Sequence, residues 1–170
     1  NTEFLDNPFN HNFLRLLGEF SGATDFMFPR KNFSSSTCSM AAVDTLRVLH
    51  KHHPNLTSIC LADNDLVTEA SQVLRIVPET MLWDLNLAKC TNMKGELSMF
   101  KACNNMVSLD LRECTLLSGK FSDISALTRL KHLNLRGMNH NITGSLAALA
   151  KLDLISLDLA GCHALSGDLQ

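Results

Sequence analysis

The stretch "NMVSLDLRECTLLSGKFSDISALT", residues 105–128, returns in altered form along the second half of the chain. It follows "MLWDLNLAKCTNMKGELSMFKACN" from Met81 and precedes "RLKHLNLRGMNHNITGSLAALAKL" from Arg129 and "DLISLDLAGCHALSGDLQ" from Asp153, each row starting 24 positions after the last. The pair Leu85/Leu87 thereby aligns with Leu109/Leu111, Leu133/Leu135 and Leu157/Leu159, and the position three further on holds Cys90, Cys114, Met138 and Cys162. A fixed period of this length marks a unit that cannot bury its apolar face alone and relies on its neighbours to cover it. Alternation within each leucine pair puts both side chains on one face of a short strand. The closing phrase "ALSGDL" matches "NMKGEL", "LLSGKF" and "NITGSL", so the native protein is expected to continue beyond Gln170.

The segment after each strand has its own period. Leu97, Phe100, Cys103 and Met106 are spaced by three, as are Phe121, Ile124, Leu127 and Leu130, and Leu146, Leu149 and Leu152. Side chains eclipse every third residue in 3₁₀ turns, which suit this spacing better than an α-helix does. One extra residue in "MNHNITG" should bulge from a rim at 139–141. The first half is looser. Leu56, Ile59, Leu61 and Asn64 repeat the pattern 26 positions before Leu82, Leu85, Leu87 and Cys90, and the longer row leaves room for a helix over 68–77 that ends before Pro78. A second helix is expected over 39–51, stopped by Pro54, and Phe26 and Phe28 fit strand positions, giving six strands in all. Residues 1–33 hold seven of the nine phenylalanines and read as a cap or first irregular repeat, 34–80 as longer helix-containing repeats, and 81–170 as regular rows truncated within the last.

The pattern L-x-x-L-x-L-x-x-C followed by a small-residue/Gly turn resembles the leucine-rich repeat family over residues 82–170. The resemblance implies an α/β solenoid of about six repeats, a horseshoe with a concave parallel β-sheet, helical on the convex side at the N-terminal end and 3₁₀ or extended toward the C-terminal end. The rows mix two types. Leu-x-Leu-x-x-Cys resembles the cysteine-containing repeats of F-box ubiquitin-ligase receptors, whereas "LSGKFSDISALTRL" resembles the 24-residue plant type. The plant-type Asn at the ladder and Ile-Pro after the glycine are missing, which points away from an extracellular receptor.

Composition excludes several function classes. A net charge of -2 offers no basic footprint for a nucleic-acid backbone. No apolar stretch in this window reaches the about 18 residues a membrane-spanning helix needs. "HKHHP" from His50 lacks the further ligands a zinc site requires, and "SGK" at Ser118 lacks the preceding glycine of a P-loop, so no metal, cofactor or small-molecule substrate is expected.

Two residue sets remain. Asn64, Cys90, Cys114 and Cys162 form an expected structural ladder, each bonding to the backbone of a neighbouring row. Disulfides would break it, so the thiols are expected free and the compartment intracellular and reducing, against the opposing hint of sequons at Asn32, Asn55 and Asn141. Outward from the sheet point Asp84, Asn86 and Lys89; Ser108, Asp110, Arg112 and Glu113; His132, Asn134 and Arg136; and Ser156 and Asp158. Asp110 beside His132 has the residue types of an acid/base pair, but an open sheet face excludes little water and no nucleophile or lid accompanies it. The expected function is therefore non-enzymatic: a scaffold or accessory subunit binding other proteins in a larger assembly, or alternatively a recognition receptor for a ligand or substrate, of ubiquitin-ligase or sensor type.

Overall fold

The computed structural model describes residues 25–27, 47, 50–51, 54–65 and 67–167. Within them the chain forms an α/β-type fold of parallel sheets joined by short helices and turns. One sheet has six strands in the order β1 (Asp25–Met27), β2 (Ser58–Cys60), β3 (Asp84–Asn86), β5 (Ser108–Asp110), β7 (His132–Asn134) and β9 (Ser156–Asp158). The other has four: β4 (Gly95–Glu96), β6 (Leu117–Lys120), β8 (Ile142–Ser145) and β10 (Leu165–Ser166). Spatial order follows chain order in both, and every pairing between these strands is parallel. Three-residue strands are too short to be stable alone, so each depends on the strand before and after it.

The register explains why the leucines recur where they do. Ile59, Leu85, Leu109 and Leu133 are mutual partners across the six-stranded sheet and are each 1% exposed, with Leu157 next in line and partly buried. A one-residue slip would carry this whole set to the opposite face, so burial fixes the register. Beyond each strand the ladder continues through turn backbone: the amide of Leu87 donates to Asp110, that of Leu111 to Asn134 and that of Leu135 to Asp158.

Directly after β4, β6 and β8 the chain forms 3₁₀ helices at Leu97–Ala102, Phe121–Ala126 and Leu146–Leu149. The three-residue spacing corresponds to them directly, with Leu97, Phe100, Phe121, Ile124 and Leu149 turned into the core. Lys101 and Asp123 tie the first two together at 2.8 Å on the surface. The bend at "MNHNITG" is carried by Asn139 at φ +52°, and the Asn141 side-chain amide donates to the Thr115 carbonyl of the preceding rim.

The helix expected over 68–77 is only Ala70–Leu74. Its start is cut back because residues 68–70 pair with β4's approach instead. Lys94 donates to the Thr68 carbonyl, the Ala70 amide donates to the Lys94 carbonyl, and Glu69 bridges Lys94 in extended conformation. The expected inward set of Ala70, Val73, Leu74 and Val77 is nonetheless buried. Arg47, His50 and Lys51 are helical, while the rest of the helix expected over 39–51, Phe28, and nearly all of the expected cap over 1–33 lie outside the described residues. β1 places Phe26 opposite Ile59 in register.

Candidate functional site

The polar face of the six-stranded sheet follows from strand alternation. With Leu85, Leu109 and Leu133 inward, their neighbours must point away from the core. Register aligns them in two columns: Ser58, Asp84, Ser108, His132 and Ser156, then Cys60, Asn86, Asp110, Asn134 and Asp158. Neighbouring members stand about 4.8 Å apart along each column. Asp84, His132 and Ser156 are exposed, and Asn86, Asp110, Asn134 and Asp158 are half-buried.

The second column is partly committed to the fold. The Oδ1 atoms of Asn86, Asp110, Asn134 and Asp158 each accept from the amide two residues ahead, that of Ala88, Arg112, Arg136 and Ala160, at 3.0–3.1 Å. This local side-chain turn fixes the bend that leaves the strand and holds each side chain in one orientation. It also leaves the second oxygen of each aspartate facing an arginine. Asp110 Oδ2 lies 3.9 Å from Arg112 Nε, and Asp158 Oδ2 lies 3.8 Å from Arg136 Nη1. The Arg136–Asp158 pair is exposed and at such a distance contributes little stability. Arg112 Nε is buried with no hydrogen-bond partner, so that pairing is electrostatic rather than hydrogen-bonded. In the first column His132 Nδ1 and Ser156 Oγ are 2.9 Å apart, linking β7 to β9. Asp110 and His132, weighed in the sequence as an acid/base pair, have these other partners in the structure.

Lys89 and Glu113 are exposed at the ends of the strands, in the left-handed region at φ +60° and +58°. Their amides donate to the carbonyls of Arg112 and Arg136. These two side chains therefore project from the turn rather than from the strands themselves.

The ladder residues lie beneath this turn. Cys90 Sγ donates to the Leu61 carbonyl at 3.2 Å, Cys114 Sγ to Leu87 at 2.9 Å, and Cys162 Sγ to Leu135 at 3.0 Å. Met138 occupies the fourth equivalent position as a fully buried apolar side chain, and Asn64 is buried at the earlier one. Burial pushes the Cys90 thiol up to about 11 and the Cys114 thiol up to about 12. It raises Cys162 as well, though that residue is only half-buried. Thiols held so far above neutrality are inert hydrogen-bond donors rather than nucleophiles. Cys60, Cys90, Cys103, Cys114 and Cys162 are all free.

A further feature, which the sequence pattern does not reveal, is apolar and lies at the strand entrances. Trp83 is 52% exposed and Ile155 is 74% exposed, immediately before β3 and β9. They belong to a third line at the strand entrances, held by backbone bonds from Trp83 to Thr57, Val107 to Trp83, Lys131 to Val107 and Ile155 to Lys131, at 2.7–2.8 Å. Lys131 also bonds to the Asp153 carboxylate, whose pKa that hydrogen bond and charge hold below its ordinary value. The available signal was a lone tryptophan directly after a core leucine, Leu82, where the strand pattern has not yet begun.

Among the described residues no cluster of three or more His, Cys, Asp or Glu could hold a metal ion, and no helix is long and apolar enough to cross a membrane. Of the sequons, Asn55 and Asn141 are exposed, and Asn32 lies outside the described residues. No family model matches the chain, and comparison with curated proteins finds no match.

Proposed function

We propose that this chain is a non-enzymatic protein-interaction module, a leucine-rich-repeat solenoid that serves as a scaffold or accessory subunit of a larger assembly. Its main support is the ordered polar face, where Asn86, Asp110, Asn134 and Asp158 are pre-set by their own turns beside the exposed Trp83 and Ile155. Side chains already fixed in the free protein lose little freedom on binding, and tryptophan and arginine are the residue types that most often dominate interface energetics. Asp84, Asn86, Lys89, Asp110, Arg112, Glu113, His132, Asn134, Arg136 and Asp158 form the polar part of the contact surface, concave in the solenoid reading. The solenoid assignment is supported by partners 24 positions apart in the six-stranded sheet and by thiols that bond back to the preceding turn. A reducing compartment belongs to the same proposal, because a disulfide at Cys90, Cys114 or Cys162 would remove that donor.

The test is a double charge reversal, Asp110→Lys with Arg112→Glu, in the chain as expressed in its source cells. Loss of a stoichiometric companion, with the circular-dichroism melting curve retained, is the expected result. A companion retained at full stoichiometry by the folded variant contradicts binding through this face.

A further inference from the structure

Two histidines from different rows meet on the rim, in the turns that lead into β8 and β10. The ring centroids of His140 and His163 are 5.6 Å apart, with the rings tilted by 43°. Both residues are exposed, and among the described residues neither ring makes a hydrogen bond. Their nitrogens are therefore open to a solute.

The meeting follows from the backbone. The row that starts at Arg129 has one residue more in its turn, "MNHNITG", than the rows beside it, and Asn139 takes that turn through the left-handed region at φ +52°. The His163 amide donates to the Asn139 carbonyl at 3.1 Å, which ties the two turns together. On the other side of His140, the Asn141 amide donates to the Met138 carbonyl at 3.3 Å, and the Asn141 side chain donates to the Thr115 carbonyl. His140 thus stands on a turn fixed at both flanks, one residue beyond the carbonyl that holds His163.

Imidazole nitrogens suit zinc, copper and nickel. A tetrahedral cation about 2.0–2.1 Å from one nitrogen of each ring holds the two centroids roughly 5–6 Å apart, the separation found on this rim. The second torsion of a histidine side chain is soft, so small ring rotations turn one nitrogen of each toward a shared point. Because the turns are already tied, a cation held by one ring finds the other within reach, and its second bond forms as an intramolecular step.

We propose that His140 and His163 chelate a single divalent transition cation of the zinc class. No third His, Cys, Asp or Glu completes a cluster with them among the described residues, so water fills the remaining coordination positions. Nothing in this site depends on the sheet face.

The chain has seven histidines, so the test resolves them individually. Imidazole ¹H–¹⁵N correlation spectra of the ¹⁵N-labelled full chain are followed at pH 7.5 as Zn²⁺ is added. The His140 and His163 signals are expected to shift together, with one midpoint and saturation at one equivalent per pair. His140→Asn should weaken the response of His163 at least tenfold, and His163→Asn that of His140, whereas His52→Asn with His53→Asn, in the stretch "HKHHP", should leave both unchanged. Both rim residues are exposed, so these single variants should keep the parent circular-dichroism spectrum. Separate midpoints for the two signals in the parent chain overturn the proposal without any variant. So does a His163 response unaltered by His140→Asn, or the absence of a saturable response at either ring.

Discussion

Gly119→Ala provides a quantitative check on the packing between successive segments. Gly119 sits in β6 at φ +140°, a backbone conformation that a residue with a Cβ rarely adopts. A Cβ built there would stand 3.0 Å from the Leu97 backbone nitrogen and 3.2 Å from Leu97 Cβ. Leu97 is fully buried and opens the 3₁₀ helix Leu97–Ala102, so it cannot withdraw without dragging core side chains with it. Gly119 itself is held from the other side, its amide donating to the Asn141 carbonyl at 3.1 Å. The backbone strain is worth about 1–2 kcal/mol and the overpacking another about 1–2 kcal/mol, giving a loss of about 2–4 kcal/mol. Gly144→Ala separates the two contributions. Gly144 has φ +127°, but a Cβ there would meet Phe121 at an ordinary 3.5 Å, so only the backbone part remains, about 1–2 kcal/mol. Urea unfolding followed by far-ultraviolet circular dichroism reads both values from the midpoint, provided the slope is unchanged. A Gly119→Ala chain no less stable than the Gly144→Ala chain would refute the close approach of β6 to Leu97.

The buried thiols predict both reactivity and pH dependence. A thiol-disulfide reagent at pH 7.5 should leave Cys90, Cys103 and Cys114 unmodified in the folded chain and label them on denaturation, with the half-buried Cys60 and Cys162 reacting first; rapid labelling of Cys114 in the native state would contradict its burial. Burial raises Cys90 from 9.0 to about 11, and Cys103 and Cys114 to about 12, so above pH 9 the unfolded chain releases protons that the folded chain retains. Stability from these groups is therefore full below pH 9 and falls as pH rises toward 11–12, each thiol contributing at most about 1.4 kcal/mol per pH unit, measurable as an earlier urea midpoint. Asp110→Asn should be near neutral, since Asn86 and Asn134 already make the same bond to the amide two residues ahead; Asp110→Ala should lose about 0.5–1.5 kcal/mol in the same urea assay. Trp83→Ala should shift that midpoint little, because the ring is half exposed, while weakening partner binding in a pull-down.

How much was legible in the sequence differs by residue. Leu85, Leu109 and Leu133 were readable because a side chain buried in a short strand must recur at the period that stacks strands in register. Leu97, Phe121 and Ile124 were readable because a spacing of three has few other geometries. The role of Asn86, Asp110, Asn134 and Asp158 was not. An outward polar column looks the same whether its oxygens meet a partner or bond to an amide two residues ahead, and only the turn conformation distinguishes the two. Lys89 and Glu113 group with the strand residues by position, but a strand pattern does not reveal where the chain enters the left-handed region. Trp83 is silent in the pattern because periodicity assigns no face to the residue before the strand. The shortened helix Ala70–Leu74 reflects the pairing of 68–70 with Lys94, a contact between segments that local propensity cannot anticipate.

Whether the polar sheet face contacts another protein is open to a direct trial. A photo-crosslinking residue is placed at Lys89, and separately at Ser122 on the 3₁₀ layer, in source cells, because both positions are exposed. Binding through the sheet face predicts a discrete adduct from position 89 that disappears with the Asp110/Arg112 charge reversal, and none from position 122. Adducts from position 122 alone, or an adduct at 89 indifferent to that reversal, would contradict it.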